Sequence, residues 1–335
     1  MLKHQEAQKT LLEIVSALAP GEALPPIRTL MEKYNFSQST VVRALAVLEK
    51  QGAVERRSRS GIFATGQVHS KDMSALLIAH PLTPTGVEIL GGVQSYLLEN
   101  GKGLLLLPGG TRSFDSIDKI LSNNNINEII ISPVSQLLED IGYIEFVQSL
   151  LARRCRVVVT DIPIPGVQAP FVGEENVKAF RLLAENMLNS GVKKLLVAGK
   201  MGSRVYASRL SGLKQAVAKS KVNLEQLELD SNTRLQEAAG NILASGCDGI
   251  ILADASNSAD LIYEMRIQAS PDQLATIKVG AIIEKNDGFA WPQGWRLEKN
   301  SFELGKIAVQ LLDDTVLNST VKLLPLELQQ IKECN

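Results

Sequence analysis

From residue 75 onward, strand-length apolar runs alternate with longer amphipathic stretches, and few folds accommodate that order. A run of about five apolar residues fills one strand, and the stretch between two such runs is long enough for a helix. Parallel neighbours need such crossovers, because a tight hairpin joins only antiparallel ones. The rhythm predicts strands over 75–79, 103–107, 128–132 and 156–160, with helices over 86–99, 114–122 and 144–152 between them. A second set follows, with strands over 194–198, 224–229, 249–253 and 277–282 and helices over 176–190, 204–218, 234–244 and 259–268. A last long helix, 302–317, precedes an extended end at 320–326. This is an α/β pattern with parallel sheets.

Residues 1–66 follow a different rule. Leu11, Leu12, Val15 and Leu18 recur at helical spacing, which predicts a helix over 4–19 ending before Pro20-Gly21. Pro25 and Pro26 fix the entry to a short second helix whose apolar side carries Leu30 and Met31. Tyr34-Asn35-Phe36 turns the chain, and Ser37 is a good N-cap for a third helix running to about residue 51. Val41, Leu45 and Leu48 form its buried stripe, and Gly52 stops it. Residues 55–57 and 62–64 then flank a polar tip and read as a hairpin. Helix, turn, helix and ribbon in this order make a winged helix-turn-helix. A polar linker, 67–74, with no helical pattern separates this domain from the α/β domain, 75–335.

The formal net charge of −1 gives no global basic signature. Residues 1–66 nevertheless hold four Lys and five Arg against six Glu, so positive charge gathers where a nucleic-acid reader needs it. Arg56, Arg57 and Arg59 also fit the plainer reading of a solvated hairpin face.

Three motifs stand at consistent offsets: Leu24-Pro25-Pro26-Ile27-Arg28, then Phe36-Ser37-Gln38-Ser39-Thr40-Val41-Val42-Arg43-Ala44-Leu45, then Leu48-Glu49-Lys50-Gln51-Gly52 through Gly61-Ile62-Phe63. Together they resemble the DNA-binding domain of GntR-type bacterial repressors. The resemblance implies DNA contacts by Arg28, Ser37, Gln38, Ser39, Thr40, Arg43, Ser58 and Arg59. A recognition helix in the major groove turns its N-terminal residues toward base edges. Gln38 there suits a bidentate contact with adenine, worth about 1–3 kcal/mol of discrimination. Arg59 at the wing tip suits the minor groove. Gln38 and Val42 stand where the family often has Arg, a departure that bears on which operator is read.

The α/β domain carries weaker motifs in a consistent order: Val157-Val158-Val159-Thr160-Asp161, Ser190-Gly191-Val192 through Gly199, Ser208-Arg209-Leu210-Ser211-Gly212-Leu213, and Ser245-Gly246 through Ala253-Asp254. The set resembles the effector domain of LacI/GalR-type regulators, itself related to periplasmic sugar-binding proteins. That resemblance implies two lobes with a ligand pocket between them, outside the carboxyl ends of the strands. It implies a lining of His80, Asp161, Arg209 and Asp254, with Trp291 or Trp295 near the crossover. Arg209 can donate two bonds to vicinal hydroxyls or a carboxylate, and Asp161 and Asp254 can accept from hydroxyls or amines. Each of these charges also fits a structural pairing. Ile282 stands where the family clamps its sugar with Asp.

Other classes are poorly served. Neither Leu104–Gly110 nor Leu195–Gly202 meets the phosphate-loop pattern, and no dinucleotide fingerprint occurs. With three His in the chain, no catalytic set and no metal cluster is expected, and no cofactor. Cys155, Cys247 and Cys334 lie far apart without CxxC spacing, which predicts free thiols. The first twenty residues are charge-dotted rather than a signal peptide, and no apolar run reaches membrane-spanning length, so a cytoplasmic protein is expected. The expectation is a DNA-binding repressor, homodimeric, whose partners are operator DNA and a sugar-like effector. A solute-binding module without regulation, and an enzyme on the α/β domain, are the alternatives.

Overall fold

The computed structural model describes residues 3–50, 52–58, 60–65, 73–229, 233–285, 287–313 and 320–332. The chain divides into two compact units, residues 1–73 with 115–127, and residues 74–114 with 128–335.

In the first unit, helices α1 (Lys3–Ser16), α2 (Ile27–Tyr34) and α3 (Gln38–Lys50) precede strands β1 (Val54–Arg57) and β2 (Gly61–Ala64). Leu11, Val15, Leu30, Val41, Leu45 and Leu48 close one small core, as their helical spacing requires. Asn35 ends α2 at φ 53°, a left-handed position that Asn tolerates, and this makes the sharp turn between α2 and α3. Ser37 Oγ accepts from Thr40 N at 3.2 Å and caps α3. The ribbon gains a further antiparallel rung at Ala23↔Phe63, supported by Leu24 N donating to Ile62 O at 2.8 Å. The proline-rich entry therefore also anchors the wing.

The second unit has two lobes. The first contains β3 (Met73–Ile78), α4 (Pro84–Glu99), β4 (Gly103–Pro108), β5 (Glu128–Ser132), α6 (Ile141–Ala152), β6 (Arg156–Thr160) and β7 (Phe171–Glu174). Helix α5 (Phe114–Asn123) lies between β4 and β5 in sequence. The second lobe contains α7 (Asn176–Asn189), β8 (Lys194–Gly199), α8 (Arg204–Val217), β9 (Asn223–Glu228), α9 (Leu235–Ala244), β10 (Gly249–Leu252), α10 (Ala255–Gln268), α11 (Pro271–Thr276), β11 (Lys278–Glu284) and β12 (Gln293–Lys299). Helix α12 (Ser301–Asp313) then returns to the core of the first lobe, β13 (Val321–Leu324) joins the first sheet, and β14 (Glu327–Lys332) joins the second. The sheet orders are β13-β7-β6-β5-β3-β4 and β14-β12-β11-β10-β8-β9.

The chain thus passes between the lobes three times, at Glu174–Asn176, Lys299–Ser301 and Leu324–Glu327. The extended end expected at 320–326 is β13, whereas β7, β12, β14 and the short α11 were not expected. The missed strands are brief or mixed in polarity: β12 reads Gln-Gly-Trp-Arg-Leu-Glu-Lys, and β14 is antiparallel to β12 at the sheet edge. Edge pairing needs only half-apolar strands, so periodicity gives little warning.

Within each lobe, helices approach closely through glycine. A methyl group on Gly212 of α8 would lie 2.2 Å from the carbonyl oxygen of Val177 on α7, and backbone cannot move aside cheaply. Gly212→Ala is therefore expected to lower stability by about 1–3 kcal/mol. The same exchange in an exposed helix would raise it by up to about 1 kcal/mol, so the sign of the change in denaturant midpoint decides the matter.

Candidate DNA interface and ligand cleft

The start of α3 presents a polar cluster. Ser37 Oγ lies 3.0 Å from Ser39 Oγ and 2.7 Å from Thr40 Oγ1, so these hydroxyls bond to one another as well as capping the helix. Gln38 and Arg43 are exposed, and neither side chain has a protein partner among the described residues. Arg28 is exposed and pairs with Glu32 one helical turn on, at 3.0 Å. On the ribbon, Arg56 pairs with Glu49 at 3.1 Å, and Arg57 pairs with Glu55 while lying 4.4 Å from the Phe63 ring centroid. Ser58 is exposed in the turn, and Arg59 lies outside the described residues. On this helix Gln38 and Arg43 thus offer unengaged polar groups, whereas the described wing arginines already have partners.

A cavity of about 370 Å³ opens between the two lobes at the carboxyl ends of the central strands. His80, Asp161, Arg209 and Asp254 all line it, joined by Thr85, Lys200, Ser203, Tyr206 and Lys299. The ends of β3, β5, β8 and β10 supply loops, and the N-termini of α4, α8 and α10 face inward, capped by Thr83, Ser203 and Asp254. Asp254 Oδ1 accepts from Ser256 N at 3.1 Å. His80 is exposed, and its carbonyl accepts from Thr83 Oγ1 at 3.0 Å. Burial, and then Glu228, push the Tyr206 phenol up to about 12, which keeps it a neutral hydrogen-bonding group.

Trp291 and Trp295 are placed elsewhere. Trp291 is enclosed in the core of the second lobe and donates from Nε1 to Ile277 O at 2.9 Å. Trp295 sits on β12 among Leu183, Ile282 and Leu297, so neither indole reaches the cavity. A large apolar ring with one donor gains more from a dry core and a backbone carbonyl than from a wet cleft.

Beneath the cavity, Asp161 and Arg209 join a cluster whose other charged members, Glu174, Glu284 and Lys299, lie outside the motifs. Lys299 Nζ, at the end of β12, is 3.5 Å from Asp161 Oδ1 and 3.6 Å from Glu174 Oε1. Arg209 Nε donates to Asn176 Oδ1 at 2.8 Å and Nη1 to Ala253 O at 2.8 Å, while Nη2 lies 3.7 Å from Glu174 Oε2. Glu284 Oε1 accepts from Thr85 Oγ1 at 2.7 Å and from Ser301 Oγ at 2.9 Å. Asp161 itself stands at φ 66°. The only local signal was a charged residue closing an otherwise half-apolar strand, as Glu174, Glu284 and Lys299 each do.

Burial alone would lower the pKa of Lys299, but Asp161, Glu174 and Glu284 together hold its ammonium above the ordinary lysine range. Burial pushes Glu174 up; Lys299 and Arg209 pull it back, and Asp161 and Glu284 push it further up. Three carboxylates share two cations, and the Glu174 carboxyl is held above the ordinary range.

Residues 9–64 match the gntR family of bacterial regulatory proteins. The chain carries a GntR-type winged helix. A Bacillus subtilis (strain 168) protein, the uncharacterized HTH-type transcriptional regulator YydK, is 35% identical over 65 residues, 19% of this chain. The match spans only 28% of that relative's length, comparable in extent to the GntR-type domain itself. Among solved structures, the Cra transcriptional dual regulator of Pseudomonas putida, in complex with fructose 1-phosphate, superposes with a TM-score of 0.64 at 13% identity. That match covers 77% of this chain and 98% of the other. A CelR–cellobiose complex gives 0.62 at 16% identity, over 95% and 98% of the two chains. A LacI transcriptional regulator from Lactobacillus brevis gives 0.62 at 17%, over 77% and 99%. At these identities the likeness is one of fold, and the two-lobed unit behind the GntR-type domain has the LacI-type, periplasmic-binding-protein-like fold. Among the described residues no helix is long and apolar enough to cross a membrane, and no group of three His, Cys, Asp or Glu could hold a metal ion.

The raised Glu174 carboxyl has a consequence for stability. Its native form binds a proton more readily than the unfolded chain does, so stability falls as pH rises from the ordinary carboxylate range to the raised value. Denaturant midpoints across that window should fall more steeply in the wild type than in Glu174→Gln, the two curves running parallel at lower pH. A wild type that gains stability relative to the variant there contradicts the assignment.

Proposed function

We propose that this chain is a ligand-responsive transcriptional regulator, a repressor in which the GntR-type domain reads operator DNA and the cleft reads a small polar metabolite. The observation that carries the reading is the join itself: a GntR-type domain whose third helix exposes an unengaged Gln38 and Arg43, on the same chain as a two-lobed cleft. In this reading the protein is cytoplasmic and works as a homodimer, so that two recognition helices address two half-sites. Gln38 and Arg43 reach bases or phosphates, Ser37, Ser39 and Thr40 fix phosphates, and Arg28, Ser58 and Arg59 complete the contact. Arg28 must exchange its exposed pair with Glu32 for a phosphate, a small loss since such pairs contribute about 0–1 kcal/mol.

In the cleft, His80, Asp161, Arg209 and Asp254 hold the effector. Arg209 has Nε and one Nη1 proton engaged, so its remaining Nη donors address the ligand. A sugar or sugar derivative is the effector class supported, because solved structures of this fold carry fructose 1-phosphate and cellobiose. Recognition then rests on hydrogen bonds, since both tryptophans are committed to the core.

Selection of duplexes from a random pool by the full chain tests the DNA reading. Enrichment of a two-fold symmetric site is expected, and Gln38→Ala should relax one base position by about 1–3 kcal/mol. Equal weakening on every duplex would make Gln38 a phosphate contact, and failure to enrich any site would overturn the reading. Arg209→Ala should lose the response to the effector and retain DNA affinity, as measured by fluorescence anisotropy. Loss of DNA affinity with the response intact would reverse that assignment.

A further inference from the structure

Beside the cavity already described, the cleft has a second chamber of about 560 Å³. The two share Asp161, Ile162 and Val205 as a common wall. Glu174 lines the second chamber and its side chain is 3% exposed. Neither of its carboxylate oxygens has a protein hydrogen-bond partner among the described residues. Its nearest cations, Lys299 at 3.6 Å and Arg209 at 3.7 Å, are beyond hydrogen-bond reach and both line the first cavity instead. A buried carboxylate attracted electrostatically from one side, with acceptors left over, favours a donor arriving from the other.

The charge balance points the same way. Asp161, Glu174 and Glu284 against Lys299 and Arg209 leave one negative charge in excess at the crossovers. Glu175, also on the chamber lining, is balanced by Lys178 at 3.0 Å. Arg204, half exposed at the chamber's edge, lies 3.8 Å from Glu139. Asn176 and Ser208 add polar lining, and Pro163, Phe171, Val177 and Leu323 form an apolar part, with Leu323 47% and Val177 38% exposed.

We propose that this chamber is a second binding site, for a small organic cation whose ammonium or amidinium group bonds to Glu174 while its apolar body lies against Phe171 and Leu323. An anion meets carboxylates there, and a neutral polyol finds acceptors without a balancing charge. The proposal is independent of DNA binding and of the sugar-like effector in the first cavity.

Calorimetry on the full chain with n-hexylamine, as the ammonium, against 1-hexanol and hexanoate tests it. Hexylammonium should bind at one site at least about tenfold more tightly than hexanol, with hexanoate undetected, given the strength of bonds to charged groups. Glu174→Gln should weaken hexylammonium by about tenfold. Ala207→Phe, at an exposed position on α8 that lines the chamber, should abolish binding while far-UV circular dichroism stays unchanged. Asp254→Asn, in the first cavity, should leave it unaltered. Equal binding of hexanol and hexylammonium, wild-type affinity in both Glu174→Gln and Ala207→Phe, or loss only in Asp254→Asn would each overturn the proposal.

Discussion

The two-lobed unit depends on a buried ionic cluster at the points where the chain changes lobe. Glu174 closes β7 at the first passage and Lys299 closes β12 at the second, and the two are 3.6 Å apart. Glu284 adds bonds to Thr85 and to Ser301, which begins α12. Taking such charges out of water costs several kcal/mol per ion, and a pairing at 3.5–3.7 Å only partly offsets it. An apolar crossover would hold the lobes more firmly. Both Glu174 oxygens also lack a hydrogen-bond partner among the described residues, so the cluster is a costly way to fasten the two lobes. Asp161, Arg209 and Lys299 belong to both the cluster and the cavity lining, so whatever fills the cavity meets the charges that join the lobes.

Much of the architecture was legible in the residues because burial imposes a period. Fully apolar runs such as Ile129-Ile130-Ile131 and Val157-Val158-Val159 can only be central strands, and both are. The tight turn into α3 was legible because Asn35 and Ser37 are suited to a left-handed turn and a cap. Strand β12 escaped because its residues mix charged and apolar types although most are buried, and β14 escaped as a polar strand at the sheet edge. The site divides along the same line. His80, Asp161 and Asp254 follow strand ends and Arg209 lies within a motif on α8, where a local reading can find them. Glu174 and Lys299, 125 positions apart, become neighbours only through the crossovers, and no periodicity announces that. Trp291 and Trp295 show the opposite error: aromatic identity suggested a ligand platform, and the surrounding apolar residues claimed both rings for the core.

The winged helix raises a different balance. Among the described residues its core is small, twelve buried apolar side chains, and its ribbon residues Arg56 and Arg57 are paired with glutamates. The net charge that the described ribbon offers a phosphate backbone is therefore less than the arginine count suggests. A ligand shifts a DNA equilibrium only by its differential affinity for the two states, typically about 1–3 kcal/mol. With a tightly held operator, a shift of that size would leave most sites occupied.

The direct measure of this account is the dissociation constant of the full chain for its selected operator, with and without a saturating sugar-like metabolite identified by thermal shift. The account predicts a change of about 5–150-fold, and the reciprocal change in metabolite affinity when operator is bound. Identical constants in both conditions, with the metabolite demonstrably bound, would contradict it.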